Sequence, residues 1–327
     1  MTADISAAAP EIAARFGLGH VRRVEPLAGA GRRNAAIETD SGSWVLRIGV
    51  EPETLGSESH HLGTAVDVLR RERFFAMAIH ERTALAGPWP YDIDDSGELL
   101  PSPYAVMPRL PGVTPWWSEQ RDWAAIGTAL ADAASELHRQ PWPTPGQWDP
   151  ATDDIAADPT PAADRYRALF QDLTDRLARI GEPLEDESAQ WIEEQLGLMP
   201  AGPEPAHLIH GDLVIGNVCL SEESDRWAVT GVFDLETARI GDPEEDIVGH
   251  LWWSFYGERP EAAAHFASRY GRHHVFSQRL PGYLVVRMLG NWEFGRRNHF
   301  PWYGGAQTFA EWAKPLHTAV IRIIDNV

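Results

Sequence analysis

The sequence predicts an α+β protein of two lobes: an N-terminal antiparallel β-sheet lobe and a larger, mainly helical C-terminal lobe. Three observations carry this. Short apolar runs separated by turn residues fill 21–48, as β-hairpins require. The stretch Met107-Pro108-Arg109-Leu110-Pro111-Gly112 then interrupts the chain, because two prolines remove ladder donors and stiffen it. Beyond it, apolar residues recur at helical spacing. The boundary is placed there, giving lobes of 1–107 and 108–327.

At 327 residues, 43% hydrophobic and 23% charged, the chain is long enough for two such lobes around a sizeable core. Cys219 is the single cysteine, which excludes a disulfide framework and a cysteine-built metal site; a buried structural thiol is expected. No secretory pattern opens the chain and no run reaches the length of a membrane span, so a cytoplasmic protein, monomer or homodimer, is expected. A net charge of −20 argues against nucleic acid and anionic membranes as partners. It favours a cationic small molecule, or serves solubility. Lys314 is the only lysine, so a nucleotide site in the N-terminal lobe must take its cation from arginine.

Residues 4–17 suggest a short amphipathic helix. Strands are expected at Val21–Leu27, Ala35–Thr39 and Trp44–Ile48, with Gly29 and Gly31 in the first turn. Glycines there allow backbone N–H groups to approach phosphates closely, although a turn between strands is often only a turn. Arg47 on the third strand stands where a phosphate-binding cation would be placed, or is a surface arginine. Residues 50–63 read as a loop, with His60 and His61 solvated. A helix over 64–84 carries Glu72 among Arg70, Arg71 and Arg73; Glu72 pairs either with Arg47 or with those neighbours. Two further strands are expected at Pro88–Tyr91 and Pro103–Met107.

In the second part, Asp122–His138 is a helix with Trp123, Ile126, Leu130, Ala134 and Leu137 on one face. Residues 141–163 read as an exposed loop. Helices near 162–181 and 185–198 are rich in acids, which either line a cationic substrate's path or form solvated faces. Three more helices are expected near 260–270, 279–297 and 306–325. Trp302 and Tyr303 are candidates for a pocket wall.

The chemistry concentrates in 208–247, where His210, Asp212, Asn217, Asp234 and Glu236 form an H-G-D-x-x-x-x-N … D-x-E pattern between strand-like runs. Strands on either side would bring Asp212, Asn217 and Asp234 to one mouth. Phosphoryl transfer asks for that set: a carboxylate facing a hydroxyl, with an amide and a second carboxylate on Mg²⁺. Asp212 is the candidate base, Asn217 and Asp234 the candidate metal ligands, and Glu236 a support for a second metal or a water. His210 is expected to hold the loop, Asp242 to cap the helix begun by Pro243, and Asp246 to tie that helix to the loop.

HGDLVIGN followed by GVFDLETARIGDPEEDI resembles the catalytic signature of the aminoglycoside phosphotransferases and their wider group, which includes macrolide, hygromycin and choline kinases. The glycine-containing hairpin, the VLR strand, the RRE helix, the VMPRLPG connector and the ASELH helix extend the resemblance over nearly the whole chain. It implies a bilobal protein-kinase-like fold and transfer of the γ-phosphate of ATP or GTP, with Mg²⁺, to a hydroxyl of a small molecule. Asp212 matches the family's catalytic aspartate, and Asn217 and Asp234 its metal ligands. Glu72 matches the helix glutamate, and Met107 opens the connector that bears on ATP against GTP. Arg47 falls where many members have lysine. An arginine fork grips phosphates in a different geometry from an ammonium, and Glu58 is a reserve partner for it. An antibiotic acceptor is expected, aminoglycoside-like from the acidic balance, or a macrolide or nucleoside from the aromatic C-terminal third. A metabolic kinase with a choline, sugar or amine acceptor, and a silent nucleotide-binding module, are the alternatives.

Overall fold

The computed structural model describes residues 2–27, 34–51, 63–115, 119, 121–223, 226–300 and 303–327. Gly29, Gly31, Glu58, His60, His61 and Trp302 lie outside the described residues.

The N-terminal lobe is a five-stranded antiparallel sheet. Its strands are β1 (Val21–Leu27), β2 (Asn34–Thr39), β3 (Ser43–Ile48), β4 (Asp92–Asp94) and β5 (Tyr104–Pro108), in the order β1-β2-β3-β5-β4. Helix α1 (Thr2–Arg15) buries Ile5, Ala9, Ile12 and Ala13, one helical face, against Ile37, Leu46 and Tyr104 of the sheet. Helix α2 (Ala65–Arg82) is capped by Thr64, whose hydroxyl accepts from Asp67 N. Its apolar face, Val68, Leu69, Phe75 and Ile79, belongs to the core that continues into the second lobe. Buried Arg71 of α2 donates to Ala238 O at 2.9 and 3.2 Å, fastening α2 to the D-x-E segment.

The strand expected at Pro88–Tyr91 begins instead at Asp92. Pro88 and Pro90 have no N–H to give a ladder, and Tyr91 turns inward. Residues 141–163 are not simply an exposed loop. They contain β6 (Gly146–Asp149) and β7 (Asp154–Ala157), pinned by fully buried Trp148. The surrounding prolines and aspartates masked that single buried anchor. These strands join β8 (His207–Ile209) and β11 (Arg239–Gly241) in a sheet ordered β7-β6-β11-β8. Between β8 and β11 lies the hairpin β9 (Val218–Glu223) and β10 (Arg226–Val232).

The helices described in this lobe are α3 (Trp123–Leu137), α4 (Ala162–Arg179), α5 (Asp186–Gly197), α6 (Glu244–Tyr256), α7 (Pro260–Tyr270), α8 (Leu280–Asn298) and α9 (Phe309–Ile324); α3 packs on β10 and the others mainly on one another. α3 and α7 pack closely: a Cβ on Gly127 would lie 2.2 Å from Ala262 O, so only glycine fits. Tyr303 is core, not pocket wall. Its ring lies 4.3 Å from Trp292, and its hydroxyl donates to Trp292 O at 2.8 Å.

Candidate active site

Strand β8 delivers the chain to His210-Gly211-Asp212, and the loop is fixed from behind. Asp246, on the first turn of α6, accepts from His210 N at 2.8 Å and Gly211 N at 2.7 Å. It also contacts His138 Nε2 at 3.0 Å, whose Nδ1 lies 2.9 Å from Tyr270 Oη. Burial alone would raise the Asp246 carboxyl; the His138 contact and the backbone donor of His210 outweigh it and hold it below the usual range. Gly211 has φ +79°, and a Cβ there would lie 2.3 Å from Thr237 O. His210 is buried with Nε2 2.8 Å from Phe233 O, so Nε2 carries the proton and Nδ1 accepts from Asp212 N at 3.3 Å. His210 therefore spans β8 and the end of β10. Asp242 accepts from Glu244 N at 3.1 Å at the start of α6. Burial and neighbouring Glu244 raise its carboxyl to about 6.

Beyond Asp212 a single 3₁₀ turn, Ile215–Asn217, reverses the chain into β9. Asn217 Nδ2 donates to Asp212 O and to Asp212 Oδ2, both at 2.9 Å, which leaves the amide oxygen for a cation. The β9–β10 register sets Val218 opposite Val232, and Phe233 N donates to Asn217 O at 3.0 Å. Asp234 follows at once. Its backbone is left-handed, φ 67° and ψ 57°, an uncommon state for a residue with a Cβ. That turn directs Asp234 and Glu236 towards the N-terminal lobe.

Arg47 meets them. Set opposite Ala105 on the β3–β5 ladder, its Nη2 contacts Glu72 Oε1 and donates to Asp234 Oδ1 at 2.7 Å and Glu236 Oε2 at 3.3 Å. Of the two partners left open for Glu72, the structure selects Arg47. Glu72 also accepts from Tyr91 Oη at 2.6 Å. Burial alone would lower the Arg47 pKa, but the Glu72 and Asp234 charges carry it well above its ordinary value. Burial and Glu72 likewise raise the Tyr91 phenol. One oxygen each of Glu72, Asp234 and Glu236 falls within 4.8 Å of the others. Such an all-oxygen set is of the kind a hard divalent cation takes, but here the Arg47 guanidinium sits among the three carboxylates and supplies their positive charge.

A single cavity of about 1040 Å³ is lined by Arg47, Glu72, Met107, Asp212, Asn217, Asp234 and Glu236. Every described residue singled out for donor, metal or base thus faces one space. The connector passes along it: Val113 exchanges hydrogen bonds with Leu220 of β9 at 2.8 and 2.9 Å. Cys219, buried and among the residues lining the same cavity, has its thiol pKa raised by burial. Arg287 of α8 was not singled out by the sequence. It donates to Gly211 O at 2.8 Å and contacts Asp212 Oδ1. In sequence it is one polar position on a helix, with no motif to mark it. The acids of 172–194 do not line the cavity; Asp172, Glu182 and Glu187 pair with Arg176, Arg296 and Lys314 away from it.

A family model described as phosphotransferase enzyme family, APH, matches residues 23–289. The chain belongs to this family. Two curated relatives are aminoglycoside 3'-phosphotransferases. That of Streptomyces ribosidificus is 28% identical over 277 residues, covering 76% of this chain and 92% of the relative. That of Streptomyces fradiae is 29% identical over 201 residues, covering 56% and 66%. Among solved structures, aminoglycoside phosphotransferase APH(4)-Ia superposes with a TM-score of 0.64 at 18% identity over 97% of this chain and 99% of that one. The GDP and kanamycin complex of APH(2")-IIia gives 0.63 at 15% identity, over 98% and 99%. At these identities the structures show that the phosphotransferase shares their bilobal kinase-like fold.

Proposed function

We propose that the protein transfers the γ-phosphate of ATP or GTP to a hydroxyl of a small-molecule antibiotic, inactivating it. The observation that carries this is that Asp212 and the clustered carboxylates of Glu72, Asp234 and Glu236 line one cavity, to which residues of both lobes contribute. The relatives' aminoglycoside activity motivates the antibiotic acceptor.

In this reading residues 1–107 hold the nucleotide, with Met107 and the connector against its base. Residues 108–327 hold the catalytic loop and the acceptor. Asp212, fixed through Asn217 and Arg287, orients the acceptor hydroxyl and takes its proton late, since the transition state is loose. The acceptor O–P bond forms as the bond from the γ-phosphorus to the bridging oxygen breaks, and the nucleoside diphosphate leaves. Asp234, the Asn217 amide oxygen and Glu236 would hold Mg²⁺, which when bound neutralises charge on the phosphate oxygens. Arg47, oriented by Glu72, grips phosphate oxygens with its fork. Gly29 and Gly31 complete the phosphate-side assignment from sequence. No described helix is long and apolar enough to cross a membrane, and a cytoplasmic site, where ATP and GTP are supplied, fits the reaction.

The test is phosphorylation of an antibiotic panel with Mg·ATP or Mg·GTP. Asp212→Ala is expected to lower kcat by about 10²–10⁴ with nucleotide affinity retained. Undiminished turnover in that variant would remove Asp212 from its role.

A further inference from the structure

The chain is acidic overall, but its acceptor cavity is not. Among the described residues, the carboxylates lining the half of the cavity formed by the catalytic loop, α4, α6 and α8 are Asp212, Glu245 and Glu293. Each already faces arginine. Asp212 is paired with Arg287 and Glu245 with Arg239. Glu293 meets Arg297 at 2.9 Å and Arg176 at 3.9 Å. Glu245 also accepts from Tyr166 Oη at 2.6 Å. The Glu245 and Glu293 side chains are only 2% and 3% exposed, so neither can meet an incoming ammonium without breaking a buried pair.

Much of the rest of that wall is apolar: Leu169 and Leu173 from α4, Val248 from α6, Val286 and Phe294 from α8, and Phe300 just beyond it; the other side chains there, Tyr166, Asn291 and Asn298, are polar but uncharged. A molecule carrying several ammonium groups would have to desolvate them against this wall, beside the guanidinium groups of Arg239 and Arg287, without free carboxylates in return. The protein's net charge can draw a cation towards the molecule; it does not solvate one inside this cavity.

Resting on the phosphotransferase reading, we infer that the acceptor is a hydroxyl compound with at most one positive charge and a sizeable apolar or aromatic face. A polycationic aminosugar does not meet that description. The apolar face lies on the α4–α8 wall, and the single hydroxyl to be phosphorylated reaches Asp212 past Arg287. Selectivity thus arises from spent carboxylates as much as from apolar contact.

The full-length protein is examined by thermal shift and calorimetry with Mg·ATP or Mg·GTP, then with kanamycin, erythromycin and puromycin as acceptor probes. Kanamycin represents the polycations; the other two each carry one amine and a large apolar or aromatic face. The expected result is a nucleotide-induced shift, and a Kd for erythromycin or puromycin at least about tenfold below that for kanamycin at physiological salt. Phe294→Ala is expected to weaken the preferred probe by about tenfold while the nucleotide shift persists, which shows the variant folded. Kanamycin binding as tightly as either, or no binding of erythromycin and puromycin at about 1 mM, overturns the acceptor class while leaving the kinase reading in place. Absence of any nucleotide shift removes the kinase reading itself, and the acceptor class with it.

Discussion

The two ends of the cavity are built on different principles. At the phosphoryl end, side chains are held by buried hydrogen bonds and ion pairs: Asp246 behind the loop, Asn217 and Arg287 on Asp212, Arg47 among three carboxylates. At the other end, where we place the acceptor, α4 and α8 present aliphatic and aromatic surface, and the charges nearby are already paired with one another. Chemistry requires donors and acceptors fixed at hydrogen-bond distances, whereas recognition of an apolar body requires mainly shape and exclusion of water. Single polar substitutions are therefore expected to be costly at the first end, and substitutions at the second to change acceptor preference while leaving the reaction in place.

The strongest way to break this contrast is Asp246→Ala. It strands His210 N, Gly211 N and His138 in a buried setting, and is expected to cost about 3–5 kcal/mol of stability, read from urea unfolding. A cost under about 1 kcal/mol would mean the loop is not held from α6. Next, Arg47→Ala leaves Glu72 buried without its guanidinium, with Tyr91 as its remaining donor. A loss of about 3 kcal/mol is expected in thermal unfolding, with weaker nucleotide binding in calorimetry. Arg47→Lys should recover part of both.

On the helical side, His250 of α6 lies in the core, 4.5 Å from Phe266, where burial lowers its pKa to about 3. The unfolded chain takes up a proton as pH falls through about 6.5, while the folded chain stays neutral there. Its contribution to stability is therefore full above about pH 6.5 and is lost, by up to about 1.4 kcal/mol per pH unit, as pH falls towards 3. Denaturant titrations at pH 7 and 5.5 should show this slope, and His250→Gln should flatten it; equal slopes in both proteins would remove His250 as its source. The smallest effect is expected from Tyr91→Phe, which takes one hydrogen bond from Glu72 at about 1 kcal/mol. If stability is unchanged but nucleotide affinity falls, Tyr91 acts through the orientation of Glu72 and Arg47.

How much of this was legible in the chain differs residue by residue. Asp212, Asn217, Asp234 and Glu236 stand out because they lie within one short window, joined by strands whose pairing the apolar runs announce. Glu72 was ambiguous, since helix phasing alone cannot choose between Arg47 and the adjacent arginines. The choice followed from α2 packing against β4, β5 and the D-x-E turn, which carries Glu72 to Arg47. Arg287 carried no signal, because its partner is 75 residues away in sequence. The β6–β7 hairpin was hidden by its prolines and aspartates, and Tyr303 was misplaced because aromatic content alone does not separate a core ring from a pocket wall.

By itself the sequence determined the two-lobe α+β order, the hairpins of the first lobe and the cluster of groups suited to phosphoryl transfer. These are local properties: periodicity, turn chemistry and short spacings within one motif. Only the tertiary structure decided which charges are spent on one another and which remain to meet a ligand. Which arginines Glu245 and Glu293 meet, and that both acids are buried, depends on how α4, α6 and α8 pack, so a net charge of −20 could not reveal that the carboxylates on the α4–α8 side of the cavity are already compensated.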